Sequence, residues 1–154
     1  MKIAEDIYVL RPSRGSLVYI LAAKEGLTVI DTGSEPGNAD IILGYTARKL
    51  GRNPHSIKNI FLTHWHGDHS GAAERLREMT GAPISCHRND APLLSGQQEV
   101  DVFWERPMPR QGLNHFLKGV CAIGYMTMNS NNNPLTPDVI VDEGPAPFDQ
   151  SWSV

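Results

Sequence analysis

The residues able to do chemistry are concentrated in one stretch, Thr63-His64-Trp65-His66-Gly67-Asp68-His69-Ser70-Gly71. Three of the six histidines in this 154-residue chain fall there, together with one aspartate. Imidazole and carboxylate are the side chains that hold divalent transition metals, zinc first, with iron or manganese as further candidates. His64 and His66 are two apart, so on an extended segment their rings project to the same side and can clamp one ion. Gly67 lets the chain turn, which can re-aim Asp68 and His69 toward a second ion. The competing reading is a polar surface turn whose histidines bind nothing. Four ligand-type residues at one strand-to-helix corner weigh against it.

The elements that must position this corner follow from the apolar pattern. Ile7-Tyr8-Val9-Leu10 reads as a strand, as do residues 16–23 and 27–31. Lys24-Glu25-Gly26 reads as the turn joining the last two, with Gly26 expected to supply a positive φ. Unbroken apolarity in Leu27-Thr28-Val29-Ile30 predicts burial on both faces of a sheet. Residues 37–50 form a helix by the spacing of Ala39, Ile42, Leu43, Ala47 and Leu50, with Gly51 as its C-terminal cap. After Pro54, residues 57–62 form an apolar strand that delivers Thr63 and His64. Residues 70–80 are expected as one helix, with Ala72, Ala73, Leu76 and Met79 on its inner stripe and Gly81 past its end. Residues 83–86 form a strand ending at His87, and residues 90–94 a helical turn. Strands and helices in this order indicate a layered α/β domain.

Beyond Gly96 the pattern changes. Residues 97–128 read as a helical lid or insert, with Phe103, Trp104 and Phe116 as apolar contacts for a substrate or as ordinary packing. Residues 138–141 read as an edge strand, and Trp152-Ser153-Val154 as the start of another. No repeat and no linker divides the chain, so residues 1–154 are expected to be a single domain.

A formal net charge of −3 excludes an electrostatic case for nucleic acid or an anionic membrane surface. The longest uncharged apolar runs are far too short to span a bilayer. The start, Met1-Lys2-Ile3-Ala4-Glu5-Asp6, carries acids where a signal peptide has an apolar core. Cys86 and Cys121 do not form a C-x-x-C pair and read as free thiols. A cytoplasmic location is the expectation.

The stretch from Thr63 to Gly71 resembles the H-x-H-x-D-H-x-G signature of the metallo-β-lactamase-fold hydrolases. Val29-Ile30-Asp31-Thr32-Gly33 is similar to the strand of that family that closes on D-x-G. The resemblance implies an αββα sandwich with one or two metals at the sheet edge. His64 and His66 would bind the first metal, and Asp68 and His69 the second. Asp31 would support the metal-bearing loop. The implied activity is hydrolysis of an ester, thioester, lactone or related bond of a small-molecule substrate, by hydroxide formed on the metal at neutral pH. Asp68 is the candidate to orient the water and relay its proton.

The family's remaining ligands, a third histidine, a bridging acid and a last histidine, would come from farther along. No histidine follows His115. Residues 137–144 resemble the stretch that precedes those ligands, so the chain reads as an N-terminal portion of the domain. His87, at a strand end, is a candidate substitute; His115, His55 and Asp142 are weaker ones. Four donors over two metals leave each ion under-coordinated, and a lone front half would be expected to pair with a second copy or with a complementing C-terminal segment. Two other readings compete with the hydrolase: a degenerate, non-catalytic domain of the same fold, and a di-iron oxidoreductase.

Overall fold

Strand pairing follows chain order from one edge of the sheet to the other. The computed structural model describes residues 1–12, 14–97 and 134–142. Among these, β1 (Lys2–Ala4), β2 (Ile7–Leu10), β3 (Val18–Ala22) and β4 (Leu27–Ile30) pair antiparallel. From β4 onward the pairing turns parallel, through β5 (Ile57–Leu62), β6 (Ile84–His87) and β7 (Val139–Val141). Parallel neighbours need crossovers. Helix α1 (Asn38–Leu50) supplies one between β4 and β5, and the short α2 (Gly67–Ser70) with α3 (Ala73–Thr80) supplies the next. A further short helix, α4 (Ala91–Leu94), follows β6.

The core lies between one sheet face and these helices. Ile20 pairs with Val29, Val29 with Ile60, and Ile60 with Ile84, a row of four fully buried side chains across four strands. Ala39, Ile42 and Leu43 of α1 and Ala73 and Leu76 of α3 close over this face together with Ala72. Removing all of this apolar surface from water is the main driving term for the layer. Gly51 caps α1 in the left-handed conformation, φ 62°, with its N–H on the Thr46 carbonyl.

Four sequence expectations change. The stripe of α1 continues at Thr46, which is fully buried, and Ala47 is exposed. Residues 27–30 alternate: Leu27 and Val29 are fully buried, whereas Thr28 and Ile30 are half-buried. Gly26 does not have a positive φ. Glycine is needed there for close approach, because a Cβ would lie 2.8 Å from the Ser56 carbonyl oxygen and against the Lys58 side chain. The single helix expected over residues 70–80 is two helices, because the N–H of Ala72 goes to the Thr32 hydroxyl at 3.1 Å. Strand β1 was not foreseen: three exposed residues carry no alternation to read. Residues 98–128 of the expected insert and the strand start at residues 152–154 lie outside the described residues.

Strand β7 is tied to the helix layer by one carboxylate. Asp138 Oδ2 accepts the backbone N–H of Ile84 at 2.8 Å and an Arg77 guanidinium N–H at 3.0 Å. The same guanidinium nitrogen donates to the Thr136 carbonyl. Burial would raise the Asp138 carboxyl, but the Ile84 N–H and Arg77 outweigh it and hold the group below its ordinary value of 3.8. A depressed carboxyl contributes stability that is full above the unfolded pKa and lost as pH falls through the folded one. Asp138→Asn is therefore expected to lower stability at pH 7 by about 1 kcal/mol, discounted for exposure. The gap from the parent chain should close below pH 3.8 in urea melts at stepped pH; a gap that persists there would disprove the assignment.

Candidate metal centre

The C-terminal ends of three adjacent parallel strands bring the site residues together, the edge at which open α/β sheets present their ligands. Asp31 follows β4, residues 63–69 follow β5, and His87 and Asp90 close or follow β6. Beyond Leu62 the main-chain ladder has run out, and side chains take over its partners.

Asp31 is the first of these. Its backbone is left-handed, φ 58°, a conformation aspartate tolerates better than most residues, and its side chain is buried. Its own N–H donates to the Phe61 carbonyl at 2.9 Å. Its Oδ1 accepts the backbone N–H of Thr63 at 2.9 Å, and its Oδ2 accepts Nδ1–H of His69 at 2.8 Å. The Thr63 hydroxyl lies 3.0 and 2.9 Å from the two carboxylate oxygens and donates its one proton there. That hydroxyl can then accept Nδ1–H of His64, at 3.1 Å.

These contacts assign tautomers. With Nδ1 of His64 and of His69 both carrying protons, the lone pairs of both rings sit on Nε2. Nε2 of His64 lies 3.1 Å from Nδ1 of His66, and Nε2 of His69 lies 3.6 Å from Oδ2 of Asp68. The His64 ring centroid is 4.7 Å from that of His66 and 3.9 Å from that of His69. Burial lowers the pKa of His64, and the neighbouring His69 and His66 rings push the same way against weaker pulls from Asp31 and Asp68. Burial would lower His69 too, but the hydrogen bond to Asp31 and the charges of Asp31 and Asp68 outweigh it, so His69 stands above the ordinary value.

Donor spacing tests the fit to a metal. Bonds of about 2.0–2.1 Å to tetrahedral zinc place two donors about 3.3 Å apart. Both the His64–His66 and the Asp68–His69 pairs come close to that bite. They fit in kind and in pairs. Among the described residues, however, no group of three or more His, Cys, Asp or Glu is gathered for one ion.

The backbone around the donors is interlocked. Ser16 donates its N–H to the Asp68 carbonyl at 2.9 Å, and Thr32 donates both N–H and hydroxyl to the His69 carbonyl at 2.7 and 2.8 Å. Gly71 donates to Gly33 at 2.9 Å. A Cβ on Gly15 would lie 2.6 Å from the Asp68 carbonyl oxygen, and one on Gly71 2.3 Å from that of Ser34.

Other sequence candidates are placed elsewhere. His87 accepts the Asn89 N–H on Nδ1, inside its own turn. Asp142 pairs with Arg88, whose guanidinium holds the carboxyl below its usual range with a smaller contribution from His87. His55 bonds to the Thr80 carbonyl at 3.2 Å and serves the fold. Cys86 is buried and free, its thiol pushed up to about 11 by burial and then by Asp90, which leaves it inert. His115, Cys121, Phe103, Trp104 and Phe116 lie outside the described residues. Thr63 and Asp90 received no role from the sequence. An acid or hydroxyl just past each parallel strand is the signal that would have flagged them.

This fold and this signature define a family. Residues 11–149 match the model of the metallo-beta-lactamase superfamily, and the chain belongs to it. It is 28% identical over 151 residues, 97% of this chain, to the probable metallo-hydrolase YflN of Bacillus subtilis. A hydroxyacylglutathione hydrolase of Pseudomonas putida is 39% identical over 69 residues, 44% of this chain and 24% of that protein. Among solved structures, the subclass B3 metallo-beta-lactamase BJP-1 of Bradyrhizobium japonicum superposes with a TM-score of 0.64 at 26% identity, covering 94% of this chain and 45% of that one. A beta-lactamase from Chitinophaga pinensis gives 0.67 at 22%, covering 94% and 45%. The chain spans about half the length of these structures and 54% of the Bacillus protein. Its mixed α/β sheet with flanking helices is thus about half of a metallo-beta-lactamase fold. Among the described residues, no helix is long and apolar enough to cross a membrane.

Removing Asp31 would strip three donors of their acceptor at once. Asp31→Ala is expected to destabilise the chain by about 3 kcal/mol, with Asp31→Asn costing about half as much because it keeps an acceptor and tolerates the left-handed backbone. Urea melts at pH 7 decide this; equal losses in the two variants would contradict it.

Proposed function

We propose that this chain provides donors for a divalent-metal hydrolase centre, with zinc as the preferred ion and iron or manganese as alternatives. His64 and His66 hold one ion, and Asp68 with His69 holds a second. The observation that supports this most is the pairing of donors at close to tetrahedral bite, with the lone pairs of His64 and His69 directed to Nε2 by Thr63 and Asp31. A bound divalent ion lowers the pKa of water to about 7 and polarises an acyl oxygen.

The chain's own residues do the rest. Asp31 and Thr63 hold His64 and His69 in the tautomers that leave Nε2 available. Asp68, whose side chain is only 26% exposed and faces His69, orients the attacking water and accepts its proton. The substrate is a small molecule with an ester, thioester, lactone or related bond.

A second reading rests on the lack of any three-donor group among the described residues. In it the chain holds metal weakly and does not turn over until a second copy or a complementing segment supplies further donors.

Zinc titration followed by metal analysis is expected to show saturable binding that each of His66→Ala and Asp68→Ala reduces and that the double variant abolishes. Stoichiometric zinc retained in the double variant would mean the donors are misassigned. In a hydrolysis panel, ester or thioester turnover lost in the double variant supports the first reading, and metal bound without turnover supports the second. Sedimentation is expected to show a dimer or larger species under the second reading; a cooperatively folded monomer with full activity would overturn it.

A further inference from the structure

An aspartate just before a helix ordinarily turns its carboxylate back to cap the helix's first free N–H groups. Asp90 stands in that position before α4, yet it makes no such bond. Its Oδ1 instead accepts the backbone N–H of Trp65, 25 residues away, at 3.0 Å. Trp65 is the residue between His64 and His66.

Trp65 is held at its amide, whose N–H goes to Asp90, while the single hydroxyl proton of Ser70 is shared between the carbonyls of His66 at 3.1 Å and Trp65 at 3.4 Å. Its indole packs against the buried core and stands edge-on to the His66 ring, centroids 4.5 Å apart. Asp90 is itself anchored, since its N–H donates to the His87 carbonyl at 3.0 Å and its carbonyl accepts the Leu94 N–H at 2.9 Å. The carboxylate thus joins the end of β6 to the continuation of β5, where the strand ladder no longer does.

We infer that Asp90 is a positioning residue for the His64–His66 pair, acting through the Trp65 amide as Asp31 acts on His69 through its ring. This rests on the proposed role of those histidines as metal donors. Two acids, one after β4 and one after β6, then flank the signature loop. Nε2 of His64 and Nδ1 of His66 stand 3.1 Å apart only while the backbone between them keeps its course. Losing the Trp65 anchor lets that separation vary and weakens the pair as a chelate. A carboxylate of this kind behind metal ligands is worth about 10–100-fold in affinity.

The test uses the full chain, Co²⁺ as the probe metal, and three variants. Asp90→Ala is expected to weaken Co²⁺ binding by about 10–100-fold and to alter the cobalt absorption bands. Asp90→Asn keeps an acceptor oxygen in place without charge and is expected to bind and absorb as the parent does. Asp90→Glu keeps the charge but displaces the oxygens by one methylene, and is expected to fall between the two. Should Asp90→Ala fail to fold, the contrast between Asn and Glu still decides the matter. Amide hydrogen exchange at Trp65 gives a readout that needs no metal. It is expected to speed up in the Ala variant and to match the parent in the Asn variant.

Unchanged affinity and unchanged Trp65 exchange in Asp90→Ala would overturn the inference, as would an Asn variant as impaired as Ala. If the parent chain binds no Co²⁺ at all, the metal-donor reading fails, and with it the role of Asp90 toward a metal. Trp65 exchange would then report only whether the anchor itself exists.

Discussion

A single buried carboxylate underlies the arrangement of the candidate centre. Asp31 accepts from the Thr63 amide, the Thr63 hydroxyl and the His69 ring, and so links the end of β4 to both ends of the signature loop. Burying an acid is unfavourable unless its oxygens are saturated with donors. Here three donors converge on it, and the same bonds dictate which nitrogen of His64 and of His69 keeps its lone pair. Fold stability and site chemistry therefore draw on one set of contacts. The left-handed backbone of Asp31 belongs to that bargain, as a locally unfavourable conformation held by the bonds its side chain makes.

Around that carboxylate the loops are fitted main chain to main chain. Gly15 and Gly71 stand where no Cβ can be accommodated against the Asp68 and Ser34 carbonyls. The loop before β3, the loop after β4 and the signature turn are therefore locked together main chain to main chain. Thr32 contributes to the same end, with a hydroxyl that donates to His69 and accepts from Ala72. It diverts the Ala72 amide from the helix and so separates α2 from α3. The short helix α2 can then present Asp68 and His69 on an axis of its own while α3 keeps its apolar stripe on the sheet.

Membership in the metallo-beta-lactamase superfamily accounts for the sheet, the crossover helices and the signature. The chain covers about half of the related structures, and its described donors assemble in pairs.

Much of this was legible in the sequence because it is local. Apolar runs placed β2 to β6, helical spacing placed α1 and the inner stripe of α3, and the cluster from His64 to His69 announced its chemistry by composition alone. What stayed hidden depends on partners far apart in the chain. Asp31 meets Thr63 and His69 across 32 and 38 residues, and Asp90 reaches Trp65 across 25. No periodicity records such distances. Aspartate, threonine and glycine in loops read as turn formers until a neighbouring strand end is set beside them. The candidate donors, their order and the part of Asp31 were thus open to reading from the sequence by itself. Tertiary structure alone decided which ring nitrogens carry the protons, where the signature helix breaks, and that Asp90 reaches the loop as well. Parallel pairing of β4, β5 and β6 sets those loops side by side, and hydrogen bonds form only between groups that are brought within reach.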